Sequence, residues 1–256
     1  MSVRRVYLLE GGYLRLNRSI MIAGGDYGRT ELGPVYMVLL ETSEGWVLID
    51  TGLNPLGVSA PEKAWGPRAK AVPPTLCAED DVRYRLKQLG LVPEDVHRVI
   101  HTHLHWDHTG GNRFFPHATF LVQKAEYRFA FWPDRHFAGP YMRDHFDCGV
   151  KYELVEGDVE VMPGLYLLFT PGHTPGHQSV LVTLAGGRRL LFTGDAAYTM
   201  ENLERTLPPG HLWSPSRGME SLLKLKTVQS LSGALVLPSH DPDLWTRFPP
   251  SPRAIA

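Results

Sequence analysis

A short segment concentrates side chains that bind metal ions. Residues 101–108 read HTHLHWDH, and the six residues from His103 have the pattern H-x-H-x-D-H. Imidazole nitrogens and carboxylate oxygens are ordinary ligands of Zn²⁺ and similar divalent ions. Chance rarely brings so many ligand types together at this spacing, so the segment predicts a metal site. His101 is an alternative ligand, but a register that begins there loses the spacing to Asp107 and His108.

Three further candidate ligands each follow a short apolar run. His173, Asp195 and His240 stand a few residues after segments that read as β-strands. The ends of strands meet at sheet edges, where clefts form, so these side chains can converge on one site. Each is ambiguous alone, and Asp195 by itself would more often be a turn residue. Together the candidates supply five His and two Asp, which is enough for two metal ions.

The segments around these residues have the patterns of strands and helices. A hairpin with a Gly turn is predicted for 36–40 and 46–49, and a buried strand at 96–100 leads directly into the metal-binding segment. The other predicted strands are 3–9, 120–122, 165–169, 179–184, 190–193 and 234–237, and the predicted helices are 79–89, 124–131 and one starting at 214–215. Strands and helices in both halves predict two packed sheets with helices outside.

Two segments have no sustained periodicity. Residues 53–77 contain several prolines and read as a long loop, which in a compact domain is usually a functional lid or disordered. The tail from about residue 248 is expected to fray, because its prolines cannot donate hydrogen bonds to a sheet. Apart from this tail, residues 1–256 are expected to form a single domain.

The composition excludes several classes of function. The 26 Lys and Arg balance 27 Asp and Glu, and this near-neutral charge argues against a nucleic-acid-binding protein. No apolar run approaches the roughly 18 residues that span a bilayer, and the start lacks the pattern of a secretory signal. We therefore expect no membrane insertion and a cytoplasmic location. Cys77 and Cys148 have no metal or redox spacing, which leaves one disulfide open and excludes a disulfide scaffold.

The H-x-H-x-D-H pattern, followed by distant His, Asp and His, resembles the metallo-β-lactamase superfamily over nearly the whole chain. Within it, the chain is most similar to the N-acyl-homoserine lactonases, which degrade bacterial quorum signals (quorum quenching). The closer similarity rests on TPGHTPGHQS at 170–179, on Asp195–Thr199 and on Ser239–Asp241. The resemblance implies an α/β fold of the αββα type, with two mixed β-sheets packed face to face and helices outside.

The resemblance also implies a metal site and a reaction. The first ion would be held by His103, His105 and His173, the second by Asp107, His108 and His240, and Asp195 would bridge them. Zinc is usual in the family, and iron, cobalt or manganese can substitute. The implied reaction is attack of a metal-bridging hydroxide on the lactone, with Tyr198 stabilising the oxyanion and Asp107 relaying a proton. No organic cofactor is required.

Other residues are candidates for substrate contact or support. An N-acyl chain needs an apolar trough, and the candidate walls are Tyr13, Leu14, Leu16, Ile20, Met21, Trp65, Phe137, Tyr141 and Phe146. Asp50 is a candidate to support the metal-binding loop, with a simple turn residue as an equal alternative. His177 is interpreted as a structural histidine, with a role beside the metals or the substrate as the alternative.

Alternative functions share parts of this pattern. A hydroxyacylglutathione hydrolase has a very similar metal set but adds a C-terminal helical region, whereas only 16 residues follow His240. A true β-lactamase commonly has Cys, or no carboxylate, where Asp195 stands. An RNA-processing nuclease would carry a substrate arm and a basic surface, which the near-neutral charge disfavours. Hydrolysis of another lactone and non-catalytic metal binding are further alternatives. The expected partner is a small-molecule N-acyl-homoserine lactone, and a homodimer would fit the family.

Overall fold

The computed structural model describes residues 2–256 and contains two β-sheets. The strands are β1 (Val3–Asn17), β2 (Thr30–Thr42), β3 (Gly45–Ile49), β4 (Pro74–Thr75), β5 (Val96–Ile100), β6 (Thr119–Gln123), β7 (Lys151–Val155), β8 (Val159–Met162), β9 (Leu165–Phe169), β10 (Gln178–Thr183), β11 (Arg189–Phe192), β12 (Leu235–Leu237) and β13 (Ala254–Ile255). The α-helices are α1 (Arg18–Met21), α2 (Pro61–Trp65), α3 (Arg68–Ala71), α4 (Val82–Gln88), α5 (Lys124–Phe131), α6 (Arg143–Phe146), α7 (Met200–Arg205), α8 (Pro215–Ser232) and α9 (Leu244–Arg247).

Both sheets are mixed and pack face to face. The first has the order β13-β1-β2-β3-β5-β6-β7, with β4 paired to β1, and the second has the order β12-β11-β10-β9-β8. Strands β3, β5, β6 and β7 are parallel neighbours, whereas β1, β2 and β3 are antiparallel. Because side chains alternate along a strand, Val6 and Val38 face Val180 and Phe192 and fill the space between the sheets.

Helices cover the outer face of each sheet. Helix α4 buries Val82 and Leu86 against the first sheet, and α8 buries Leu222 and Leu225 against the second. Helix α8 begins at Pro215 because proline's fixed φ suits the first helical position, as the sequence predicts. These layers confirm the predicted sandwich of two mixed sheets with helices outside.

Several elements differ from the sequence prediction. The segment 53–77 is not a structureless loop: it contains α2, α3 and β4, and Trp65 anchors it in the core at 1% exposure. Strand β1 continues beyond the predicted end to Asn17. Strands β7 and β8 are missing from the prediction because they lie at sheet edges, where exposed polar side chains obscure the apolar pattern.

The C-terminal tail is not frayed, so that prediction is wrong. The N–H of Ser251 donates to the carbonyl of Leu8 at 2.8 Å, and Ile255 pairs with Val6 at the edge of the first sheet. Phe248 packs into the core between the sheets. The prolines leave Ala254 and Ile255 free to pair, since these two residues keep their backbone N–H groups.

Two further expectations concern membranes and disulfides. Within residues 2–256, no helix is both long enough and apolar enough to cross a bilayer. Cys77 and Cys148 are free thiols, the first exposed and the second half-buried. The disulfide that the sequence left open is therefore not formed.

Candidate metal centre

The candidate ligands lie on loops that follow the carboxyl ends of strands. Strand β5 ends at Ile100, directly before the 101–108 segment, and His173, Asp195 and His240 follow β9, β11 and β12. Strands β9 and β11 are each antiparallel to β10, and β12 is parallel to β11, so these three strands run in the same direction. Their carboxyl ends therefore share one edge of the second sheet and meet the loop after β5.

Asp195 lies at the centre of the cluster. Its two carboxylate oxygens lie near two different pairs of histidines, which define two halves of the cluster. Its Oδ2 is 3.3 Å from Nε2 of His173 and 3.9 Å from Nε2 of His103. Its Oδ1 is 3.4 Å from Nε2 of His108 and 3.5 Å from Nε2 of His240. A carboxylate in this position can bridge two cations.

Three groups of donor atoms are close enough to hold a cation. Within each group the donor atoms lie within 4.8 Å of one another. The groups are His103–His105–His173, His103–His108–Asp195 and Asp107–His108–His240. All seven side chains are buried. The fold thus brings together the seven residues that the sequence analysis selected.

Hydrogen bonds to the outer nitrogens orient three of the histidines. The Nδ1–H groups donate from His108 to Oδ2 of Asp50 (2.8 Å), from His173 to the carbonyl of His211 (3.0 Å) and from His240 to the carbonyl of Pro34 (2.9 Å). Carboxylate and carbonyl oxygens accept, so we assign the protons to Nδ1. Each Nε2 then presents a lone pair to the centre of the cluster, which is the usual arrangement of metal-ligating histidines.

Buried atoms without a partner show that the donor set fits a cation. Within residues 2–256, Nε2 of His103, Nε2 of His108 and Oδ1 of Asp195 are buried and have no hydrogen-bond partner. Leaving such an atom unsatisfied costs about 1–3 kcal/mol. Two divalent ions would satisfy all three atoms, and the mixture of imidazole and carboxylate matches the ligands of zinc.

The charge states of the histidines also suit metal binding. Burial lowers the pKa of His103 well below its ordinary value, and neutral imidazole is the form that ligates metals. His108 and His240 are equally buried, but Asp107 raises the pKa of His108 and Asp195 raises the pKa of His240. The carboxylates of this half therefore create a negative potential, which a divalent ion can neutralise in place of protons on His108 and His240.

Asp50 supports the 101–108 loop and also forms the turn after β3, so the structure agrees with both of its sequence interpretations. Its carboxylate accepts hydrogen bonds from Nδ1 of His108 at 2.8 Å and from the N–H and Oγ1 of Thr102 at 2.9 and 2.8 Å. Burial alone would raise the pKa of Asp50, but His108 and His101 outweigh it and lower the pKa. Its φ of 57° is uncommon for a residue other than glycine and turns the chain directly after β3.

Glu126, which the sequence analysis missed, connects two ligand-bearing loops. It is fully buried at the start of α5. Its Oε1 accepts hydrogen bonds from the N–H of Leu104 (3.0 Å) and the hydroxyl of Tyr141 (3.1 Å), and its Oε2 from Oγ1 of Thr174 (2.5 Å) and the N–H of Gly176 (3.1 Å). Leu104 and Thr174 belong to the loops of the two sheets. A single Glu on a short predicted helix gives no sequence signal of this role.

Tyr198 lies against the donor cluster. Its ring stacks on His240 with the centroids 5.0 Å apart, and it is 5.9 Å from the ring of His173. Burial, together with Asp195 and Asp107, raises the pKa of Tyr198 well above its ordinary value. The hydroxyl therefore stays protonated at neutral pH and can donate a hydrogen bond.

Comparison with known proteins identifies the family to which this fold and this site belong. Residues 30–240 match the sequence profile of the metallo-β-lactamase superfamily. The chain belongs to this superfamily. It is 38% identical to the N-acyl homoserine lactonase AttM of Rhizobium radiobacter over an alignment of 261 positions, which covers 98% of each chain. It is 36% identical to an N-acyl homoserine lactonase of Bacillus cereus over 242 residues, which cover 94% of both.

A solved structure extends the similarity of this superfamily member to three dimensions. That structure is an N-acyl homoserine lactone hydrolase with the product N-hexanoyl-L-homoserine bound at its catalytic metal centre. The two chains share 33% identity and superimpose with a TM-score of 0.90 over 100% of each chain. The predicted resemblance to the N-acyl-homoserine lactonases is thereby confirmed.

Two other histidines of this superfamily member lie outside the donor groups. His101 contacts Asp50 through Nδ1 (3.2 Å) and Oδ1 of Asn112 through Nε2 (2.9 Å). His177 donates from Nδ1 to the carbonyl of Thr170 at 3.1 Å, and burial lowers its pKa to about 3. The ring centroid of His177 is 5.3 Å from that of His103, and the ring centroid of His101 is 5.5 Å from that of Phe120.

A cavity of about 490 Å³ opens beside the donor cluster. His105, Asp107, His173, Asp195, Tyr198 and His240 contribute to its lining. Its apolar walls include Leu14, Leu16 and Ile20, as the sequence analysis predicts, and also Val72, Trp106 and Met142. Arg68 and His211 are further polar residues of the lining.

The other predicted wall residues do not line this cavity. They are Tyr13, Met21, Trp65, Phe137, Tyr141 and Phe146. Trp65 and Met21 are buried behind the wall, where the Trp65 ring meets Trp106 edge to face at 5.6 Å. Phe146 packs with Leu104 in a separate cluster. Hydrophobicity alone cannot distinguish a cavity wall from the core behind it, because both exclude water.

Proposed function

We propose that this protein is a single-domain hydrolase that opens the lactone ring of N-acyl homoserine lactones with two divalent metal ions. The observation that carries the proposal is the two-sided donor cluster around Asp195, which forms part of the lining of a largely apolar cavity. The substrate has matching parts, namely an ester bond for the metals and an apolar chain for the walls. The activity named for the relatives supports the same substrate.

The proposed ligands follow the two halves of the cluster. One ion would be held by His103, His105 and His173 and the other by Asp107, His108 and His240, with Asp195 available to both. Zinc is the proposed metal because it favours imidazole with carboxylate at low coordination number. When bound, the ions supply a water of lowered pKa and polarise the lactone carbonyl.

The protein's own groups complete the reaction. Tyr198 keeps its proton on the phenol oxygen and donates a hydrogen bond to the oxyanion that develops on the lactone carbonyl. The carboxylate of Asp107 accepts the proton lost by the attacking water and delivers it to the leaving ring oxygen. The walls around Leu16 and Ile20 hold the acyl chain and exclude water. The product is an N-acyl homoserine with a free carboxylate and hydroxyl.

The biological setting belongs to the same proposal. Opening the ring destroys a bacterial signal, so the proposed role is quorum quenching. We propose the cytoplasm as the location, where Cys77 and Cys148 would stay reduced. The family resemblance supports a homodimer, which light scattering in solution can test.

Metal analysis combined with a substrate panel tests the function. We expect two equivalents of zinc per chain, acid release from N-hexanoyl-homoserine lactone in a pH-stat, loss of this activity on chelation and its return with zinc. Bound metal without acid release would instead indicate a non-catalytic metal-binding protein. Slow lactone opening beside fast cleavage of S-lactoylglutathione would indicate a hydroxyacylglutathione hydrolase.

A further inference from the structure

The cavity contains a cation that the proposed hydrolysis does not use. Arg68 on α3 lines the cavity together with Asp107 and Tyr198. Its Nε donates to the carbonyl of Gly139 at 2.6 Å, and its guanidinium carbon is 5.9 Å from the centroid of the Trp106 ring. Among the interactions of residues 2–256, the two terminal nitrogens of Arg68 have no hydrogen-bond or ion-pair partner. Two donor groups are therefore available at the cavity.

The described residues around Arg68 make no hydrogen bond to these two terminal nitrogens. The adjoining lining is mostly apolar and includes Leu14, Val72 and Met142. Burial lowers the pKa of Arg68, and although Asp107 counteracts this, it also belongs to the proposed metal ligands. A half-buried guanidinium is stabilised when acceptors reach it. In the free protein water can supply these acceptors, and a molecule that fills the cavity and displaces that water has to replace them.

We infer that Arg68 determines specificity by binding the carbonyl oxygens of the acyl chain, so that 3-oxoacyl homoserine lactones are preferred over unsubstituted ones. This inference rests on the proposed function. A 3-oxoacyl amide carries two carbonyl oxygens in a 1,3 relationship, which match the two terminal nitrogens of a planar guanidinium. An unsubstituted chain carries only the amide oxygen and leaves one nitrogen without a partner.

The position of Gly139 supports access to these nitrogens. A Cβ atom at residue 139 would lie 3.2 Å from one terminal nitrogen of Arg68, which is tighter than ordinary packing. The absence of a side chain therefore leaves room beside the guanidinium while the backbone carbonyl holds its Nε. The head group is oriented, and its outer edge stays available for the substrate.

Kinetics with a matched pair of substrates test the inference. We would measure kcat/KM for N-(3-oxooctanoyl)- and N-octanoyl-homoserine lactone with the wild-type protein, R68M, R68K and the control K70M. Lys70 lies on the same helix, but it is 82% exposed and pairs with Glu62 outside the cavity. We expect R68M to lower the 3-oxo preference about tenfold, R68K to lower it partly and K70M to leave it unchanged.

Binding of the ring-opened products provides a readout without turnover. Calorimetry with N-(3-oxooctanoyl)-homoserine and N-octanoyl-homoserine should show the same loss of preference in R68M. An unchanged ratio in R68M, or an equal decrease for both compounds, would overturn the role of Arg68 while hydrolysis of the unsubstituted lactone still supports the proposed function. If the wild-type protein hydrolyses neither lactone, the proposed function is wrong and the inference falls with it, whereas hydrolysis of both lactones without a 3-oxo preference that depends on Arg68 overturns the inference alone.

Discussion

Oε2 of Glu126 accepts a hydrogen bond from Oγ1 of Thr174 at 2.5 Å, while Oε1 of the same carboxylate accepts one from the N–H of Leu104. Leu104 lies on the loop after β5 in the first sheet, and Thr174 lies on the loop after β9 in the second. A single buried carboxylate therefore joins the two loops that supply the proposed ligands of one ion.

The substitution Glu126→Gln should weaken the hydrogen bonds that join the loop after β5 to the loop after β9. Each carboxylate oxygen accepts one backbone N–H, from Leu104 and from Gly176, so either orientation of an amide places its NH₂ against a donor. We expect a loss of about 1–3 kcal/mol in unfolding free energy and a 10–100-fold weaker zinc affinity. Thermal melts and chelator competition measure both quantities. Glu220→Gln, at an exposed site on α8, is the control, and wild-type zinc affinity in E126Q would refute the role.

The substitution Asp50→Asn should act on the half of the centre that contains His108. Asn tolerates the left-handed φ of Asp50, so the backbone turn is retained, but the charge that accepts the proton of His108 is lost. We expect the ion proposed at His108 to bind 10–100-fold more weakly, and zinc content to fall toward one ion per chain. Elemental analysis after dialysis measures this. Asp147→Asn removes an exposed carboxylate as a control, and two retained ions in D50N would contradict the prediction.

The substitution Tyr198→Phe should separate catalysis from metal binding. It removes the hydroxyl proposed to stabilise the oxyanion and keeps the ring that stacks on His240. We expect kcat to fall about 100-fold, with little change in zinc content or melting temperature. Steady-state kinetics with elemental analysis test this, and Tyr84→Phe, at an exposed site on α4, serves as the comparison. Unchanged kcat would exclude Tyr198 from the reaction.

The substitution Ile20→Trp should shorten the acyl chain that the cavity accepts. Ile20 lines the cavity, and a larger ring there occupies space that a long chain needs. We expect the ratio of kcat/KM for N-decanoyl- over N-butanoyl-homoserine lactone to fall about tenfold. Leu231→Trp places the same ring on α8 at a site that is 84% exposed and should leave the ratio unchanged. An equal decrease for both substrates would place Ile20 outside the chain-binding wall.

Residue types and spacing were sufficient to identify the donor cluster and the layered fold. The H-x-H-x-D-H segment is local, and His173, Asp195 and His240 each follow an apolar strand, so their common context is visible along the chain. The carboxyl ends of strands that run in the same direction lie at the same end of a sheet. The convergence of these residues on one site also depends on the direction of each strand and on the packing of the two sheets.

Tertiary structure alone decided which residues support and surround the cluster. Glu126 and Arg68 have no local pattern, since their roles depend on Leu104, Thr174 and Gly139, which are distant in the sequence. The same applies to the tail, whose pairing with β1 requires a sheet edge formed at the other end of the chain. Apolar periodicity reports that a side chain leaves water, and only the packing of the two sheets specifies which partner it meets.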